Sequence, residues 1–179
     1  MKNHIVFLRG INVSGTKKIK MVHLKAVLKD NGLKEVLTYI QSGNLVVQTN
    51  MDSEELSRKI AQIIKTTYDF DVPVKAYAPE LLQKLIENNP FKGEQEVSKL
   101  YYVLPFTNID IERKKIFEKE TFANEDFIIT DSCIYLKCNA GYGKAKLNNN
   151  LVEKKLKLVA TTRNDKTMHK MLELANNPS

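Results

Sequence analysis

Val36-Leu37-Thr38-Tyr39-Ile40-Gln41-Ser42-Gly43-Asn44-Leu45-Val46-Val47-Gln48 is the stretch on which the fold turns. Its two flanks, residues 36–40 and 45–48, are rich in the β-branched and aromatic side chains that suit a pleated surface. Between them stands Ser-Gly-Asn, the chemistry of a tight turn. The stretch reads as a β-hairpin. On its N-terminal side, residues 4–8 form a continuous apolar strand. Met21, Leu24 and Leu28 then mark one face of a helix that stops near Asn31-Gly32. On its C-terminal side, Leu56, Ile60, Ile63 and Ile64 trace a second helix face, opened by Asp52 and Glu55 as a capping box. Residues 72–77 close the series as a strand, so the order is βαββαβ.

The order then repeats. Pro79 can open a connector helix carrying Leu81, Leu82, Leu85 and Ile86, which Asn88-Asn89-Pro90 ends. Residues 99–104 read as a strand and 111–119 as a helix. A second hairpin, 126–130 with 133–138, turns at Asp131-Ser132. A helix over 146–156, a strand over 158–162 and a last helix over 165–175 complete the chain, with Met168, Met171, Leu172 and Ala175 inward. No sequence identity joins the halves; only the element order repeats. The expectation is an α+β protein of tandem ferredoxin-like βαββαβ units, with a helical connector and a C-terminal helix. The boundaries fall at 1–78, 79–96 and 97–179.

That topology places the chemistry. Right-handed crossovers bring the end of the first strand to the edge where the hairpin turns. Arg9-Gly10-Ile11-Asn12 then lies beside Gln41-Ser42-Gly43-Asn44. In the second half, Gly141-Tyr142-Gly143-Lys144 and Thr161-Thr162-Arg163-Asn164 follow the third and fourth strands to one edge. Glycine beside asparagine, next to a cation, offers bare backbone donors and a short amide for an anion or polar ligand. The same residues have a purely structural reading. Gly10 and Gly43 can serve positive φ in turns, and Asn12 and Asn44 can hydrogen-bond their own loops. Thr162 with Asp165 fits a capping box, which also leaves free N–H groups for an anion beside Arg163.

These segments resemble the DUF1697 family of bacterial proteins of unknown function over nearly the whole length. The resemblance rests on Leu8 to Val13 with Lys20-Met21, Thr38 to Asn44, Gly141-Tyr142-Gly143-Lys144 with Lys146-Leu147, and Ala160 to Asn164. It implies tandem ferredoxin-like units and lends no established activity. Ala145 stands where a small hydroxyl residue is usual in the family, which weakens a phosphate role for a hydroxyl in that loop. Asp165 stands where a tryptophan is usual, which removes an aromatic that could stack on a base or ring.

Composition bounds the partners. The chain has 179 residues, is 42% apolar, and carries a net charge of +7. Residues 1–35 hold +6, residues 36–135 hold −5, and residues 136–179 hold +6. The basic ends therefore also contain the glycine loops, an asymmetry that can focus potential on an anionic partner; solvated helix faces would give the same count. No apolar run approaches the roughly 20 residues of a membrane span. The N-terminal run is too short for a signal peptide, and Cys133 and Cys138 are five apart on one strand, hence on opposite faces. A cytoplasmic, reduced, unprocessed chain that does not use membranes is expected.

A reaction is not legible. His4, His23 and His169 are scattered without metal spacing, and no nucleophile elbow, paired-carboxylate or thiol motif appears. No metal site and no cofactor is assigned. Gly10 to Lys17 resembles a Walker A loop, but the order Thr16-Lys17 is inverted. Tyr39, Tyr101, Tyr102 and Tyr135 fall in strands, yet the RRM pattern that stacks bases is missing. The expectation is a binding module for a phosphate-bearing anionic ligand, nucleotide-like or nucleic acid. The alternative is an enzyme that uses the same loops on a phosphorylated small molecule. The candidate ligand residues are Arg9, Gly10, Asn12, Lys17, Gln41, Ser42, Gly43, Asn44, Gly141, Gly143, Lys146, Thr162, Arg163 and Asn164.

Overall fold

The apolar run at the N-terminus becomes β1 (Lys2–Leu8), and Met21, Leu24 and Leu28 are the buried positions of α1 (Met21–Asp30). The hairpin closes as β2 (Glu35–Tyr39) and β3 (Asn44–Thr49), with Tyr39 opposite Asn44. The capping box at Asp52 and Glu55 forms and opens α2 (Ser53–Tyr68). The last strand of the series, β4 (Val74–Tyr77), starts two residues later than its apolar pattern suggests, after Pro73. The structure, a computed structural model, describes residues 1–13, 15–93 and 99–177. Residues 94–96 of the expected connector, and Ser14 of the Walker-like stretch, lie outside the described residues.

The second series runs α3 (Pro79–Glu87), β5 (Leu100–Pro105), α4 (Ile111–Phe117), β6 (Glu125–Ile129) and β7 (Ile134–Cys138). It ends with α5 (Asn149–Leu156), β8 (Ala160–Asn164) and α6 (Asp165–Asn176). The described residues thus form an α+β chain with two four-stranded sheets and six α-helices. The sheets are ordered β2-β3-β1-β4 and β6-β7-β5-β8, and every neighbouring pair is antiparallel.

By its internal contacts the chain divides into two compact units, Met1–Gln83 with Lys170–Ser179, and Lys84–His169. In the first, α1 and α2 pack on one face of the sheet, and Val6, Leu8, Leu45, Val47 and Ala76 meet Leu24, Leu28, Leu56 and Ile60 there. Each of these valine, leucine and isoleucine side chains contributes about 1.5–3 kcal/mol on burial. Ser57 joins this core by hydrogen bonds: its hydroxyl donates to the Ser53 carbonyl at 2.6 Å and accepts the Ala76 N–H at 2.8 Å. In the second unit the equivalent core gathers Val103, Phe117, Ile134, Leu136, Leu147, Val152 and Leu156. Cys133 and Cys138 are both buried and free. Among the described residues, no helix is long and apolar enough to cross a membrane.

Three local expectations are corrected. The fifth helix begins at Asn149 and not at residue 146, because the Asn148 side chain caps it by accepting the Leu151 N–H at 3.1 Å. The last helix is capped by Asn164, whose side chain accepts the Thr167 N–H at 2.8 Å, and not by Thr162. Thr162 lies within β8, opposite Val103. Leu81 is 42% exposed and stands off the stripe of Leu82, Leu85 and Ile86.

Candidate functional site

In the first unit, β1 delivers its last residues to the turn between β2 and β3. The Leu8 N–H donates to the Gly43 carbonyl at 2.8 Å, and the Arg9 N–H to the Pro73 carbonyl at 2.9 Å. Asn12 fastens the loop to the hairpin. Its Nδ2 donates to the carbonyls of Gln41 (2.7 Å) and Ile19 (2.9 Å), and its Oδ1 accepts the Ile19 N–H at 2.8 Å. The structure therefore brings the two N-terminal motifs together, as the topology requires.

Within that junction the residues divide by role. Gly43 has φ +77°, and a Cβ there would sit 2.6 Å from Leu8 Cβ and 3.0 Å from Ile11 Cδ1, so its glycine is a packing requirement. Asn44 is completely buried, and its Nδ2 donates to the Tyr39 carbonyl (3.0 Å) and to Ser42 Oγ (2.9 Å), closing the hairpin from inside. Gly10 differs. It has φ +72°, and no heavy atom lies within 4 Å of where its Cβ would stand. Among the described residues, the Gly10 and Ile11 amides meet no protein acceptor. Arg9 is half-buried beside them, and Gln41 and Ser42 are exposed on the hairpin.

The loop that follows is a basic one under backbone strain. Asn12, Gly15 and Lys17 all adopt positive φ. Lys17 Nζ donates to the Asp71 carbonyl at 2.6 Å, which anchors the loop, while Lys18 and Lys20 are exposed. Left-handed residues thus stand beside exposed lysines in this loop.

In the second unit the glycine loop and the end of β8 also meet, through residues that the sequence did not single out for this. Asn149 is the joint: its N–H donates to the Tyr142 hydroxyl (2.9 Å), its Nδ2 to the Ala160 carbonyl (3.1 Å), and its Oδ1 accepts the Thr162 hydroxyl (2.9 Å). Tyr142 stacks on Tyr101 with ring centroids 4.6 Å apart, and Tyr101 is paired with Asn164 in the sheet. Burial, and then the neighbouring Cys138 and Tyr142, push the Tyr101 hydroxyl pKa up. The run Asn148-Asn149-Asn150 was the available signal, because consecutive asparagines before a helix mark a cap.

The polar groups of this edge are largely engaged. Arg163 is 8% exposed, and its guanidinium donates to the Thr161 hydroxyl at 2.7 Å and to the Thr162 carbonyl at 2.9 Å. Asn164 is occupied in capping α6. Asp165, at the position where the family resemblance puts a tryptophan, is buried and accepts the Tyr102 hydroxyl at 2.7 Å. Gly141, with φ +84°, and Gly143 have open space where a Cβ would stand, and Lys146 is exposed. Among the described residues, no group of histidine, cysteine and carboxylate side chains could hold a metal ion.

The family described as "Protein of unknown function (DUF1697)" matches residues 1–135. No curated protein matches the chain. Among solved structures, that of the conserved bacterial protein SP0830 from Streptococcus pneumoniae is similar, with a TM-score of 0.77 and 22% sequence identity, covering 97% of this chain and 98% of that one. At that identity the likeness speaks to the fold.

Proposed function

The chain belongs to the DUF1697 family, and on that premise we propose a cytoplasmic binding module of tandem ferredoxin-like units, divided at 1–78, 79–96 and 97–179, that holds a phosphate-bearing anionic ligand. The sheet order β2-β3-β1-β4, repeated as β6-β7-β5-β8, supports the tandem reading, because a right-handed βαββαβ unit gives this order. The observation that carries the ligand reading is the Gly10–Ile11 pair of amides, without an acceptor among the described residues, open to solvent at Gly10 and flanked by Arg9 and the loop lysines. Backbone N–H groups with a guanidinium beside them suit phosphate oxygens. Gln41 and Ser42 line the same junction from the hairpin side, whereas Asn12, Gly43 and Asn44 build it. In the second unit, Lys146 and the open glycines Gly141 and Gly143 are the groups left to contact a ligand, with Thr162, Arg163 and Asn164 shaping the edge.

Thermal shift over inorganic phosphate, nucleotides, the matching nucleosides and short oligonucleotides, at low and high salt, tests this. Phosphorylated compounds should raise Tm and nucleosides should not, with the effect falling as salt rises. Arg9→Ala should weaken it by about tenfold in apparent affinity. A chain that no anion stabilises at either salt concentration ends the proposal.

A further inference from the structure

A groove of about 550 Å³ lies in the second unit along β6, between that strand and the segment after α4. It falls within the roughly 300–1,000 Å³ of ordinary ligand pockets. Three features of it are independent of one another.

The first is an open strand edge. Among the described residues, β6 is the outermost strand of its sheet and pairs with β7 alone. The Thr130 N–H donates to the Cys133 carbonyl and the Asn139 N–H to the Asn124 carbonyl, which fixes the phase of the ladder. Hydrogen-bonded pairs then fall at Ile128–Tyr135 and Asp126–Lys137. By the alternation of an antiparallel ladder, the N–H and C=O groups of Glu125, Phe127 and Ile129 point away from β7. Among the described residues, these outward groups have no hydrogen-bond partner.

The second is a buried charge. Glu125 lines the groove and is 6% exposed, yet among the described residues it joins no ion pair. Among the described residues its carboxylate accepts one hydrogen bond, a long one, 3.4 Å from the Lys146 N–H. A carboxylate so placed gains strongly from a cation brought to it. Asp126, exposed next to it, adds a second negative charge. The third is aromatic: Phe127 packs against Phe122 with ring centroids 5.9 Å apart, and both line the groove, which gives it an apolar wall.

We propose that this groove takes an extended peptide of a partner protein, which adds as a strand to the β6 edge with two basic residues against Glu125 and Asp126 and apolar residues against Phe127, Ile128 and Ile129. The five positions of β6 read acidic, acidic, apolar, apolar, apolar. A strand laid antiparallel to it therefore reads three apolar residues followed by two basic ones. Main-chain bonds to the edge supply affinity and the alternating side chains supply choice, the mode of β-strand addition. This edge is distinct from the Arg9 junction, so the two proposals stand or fall separately.

The test uses the full chain and a fluorescein-labelled pentapeptide, Val-Ile-Val-Arg-Arg amide, followed by fluorescence anisotropy and by amide hydrogen exchange. Saturable binding is expected, with new protection at the Phe127 and Ile129 amides. The same peptide N-methylated at its edge-facing amides, and Val-Ile-Val-Glu-Glu, should not bind. Glu125→Gln, nearly isosteric, should weaken binding by about tenfold, and Asp126→Lys on the exposed face by a similar factor without loss of folding. The proposal fails if the peptide does not bind, or if the N-methylated peptide binds as well. It also fails if spermidine displaces the probe while the edge amides gain no protection, since the groove is then a small-amine site. Sedimentation showing that the chain dimerises with those amides already protected overturns it as well, because the occupant is then a second copy.

Discussion

Gly10 and Gly43 look alike in the sequence and differ in kind once folded. Both have positive φ, but only Gly43 faces atoms: Leu8 and Ile11 occupy the space that a Cβ would need. Gly43→Ala adds overpacking to backbone strain and should cost about 3 kcal/mol, against about 1 kcal/mol for Gly10→Ala, as read from urea midpoints of the two variants. Equal costs would mean that the hairpin yields around the new methyl. Burial also sets a pH dependence at Cys138. Its thiol is pushed up to about 11, first by burial and then by the charge of Glu125. The unfolded chain deprotonates this group near 9, so between pH 9 and 11 the unfolded state binds fewer protons and stability falls as pH rises. Full stabilisation is present below pH 9. The loss amounts to about 2–3 kcal/mol by pH 11. Cys138→Ala should remove that part of the decline from urea titrations at pH 8 to 11. Sequence alone put this cysteine on a strand, but could not show which carboxylate stands beside it.

At the level of elements, the strong periodicities were legible and the boundaries were not. Met21, Leu24 and Leu28 on α1, and Leu56, Ile60, Ile63 and Ile64 on α2, are buried as their spacing requires, because each set forms the largest apolar stripe of its helix. The start of α6 falls at residue 165 as its pattern requires, but its cap is not Thr162, because a competing structure takes the residues: Thr161, Thr162 and Arg163 pair with Leu104, Val103 and Tyr102, so β8 continues where a capping box was expected. The cap passes to Asn164, the first residue with a side chain free to turn back on the helix. The spacing groups Leu81 with Leu82, Leu85 and Ile86, but the buried positions are Leu82, Leu85, Ile86 and Asn89, which leaves Leu81 at their margin. With Asn164 as the cap, Asn164→Ala should lower stability by about 1 kcal/mol and Thr162→Val should not act through the helix end. Helix-end exchange rates at Thr167 would separate the two: they should rise in the first variant alone.

For the whole chain, element order was enough to expect two sheets, since a hairpin flanked by helices and strands leaves few antiparallel arrangements. What order could not reveal is how distant residues share an environment. The net charge of −5 over residues 36–135 was visible as a count. That Glu118, Glu120, Glu125 and Asp126 gather on one groove with three phenylalanines is a product of the fold. The grouping of Lys170–Ser179 with residues 1–83 was equally hidden, because the last helix follows the second series in sequence. Within that unit Asn3 Nδ2 donates to the Ala175 carbonyl at 2.6 Å, and Met171 and Ala175 are buried. A chain ended at His169 would lose the acceptor for Asn3 and the apolar side chains of the helix's last turns. The expected result is faster exchange at the β1 amides and a Tm lowered by several degrees, the size of shift that a loss of about 1–3 kcal/mol produces in a domain of this length. Because Val103, Phe117, Leu136 and Val152 belong to a core made within residues 84–169, exchange at the β5 and β7 amides should change less. Uniform loss of protection across both sheets would instead mean that the two units unfold as one cooperative body.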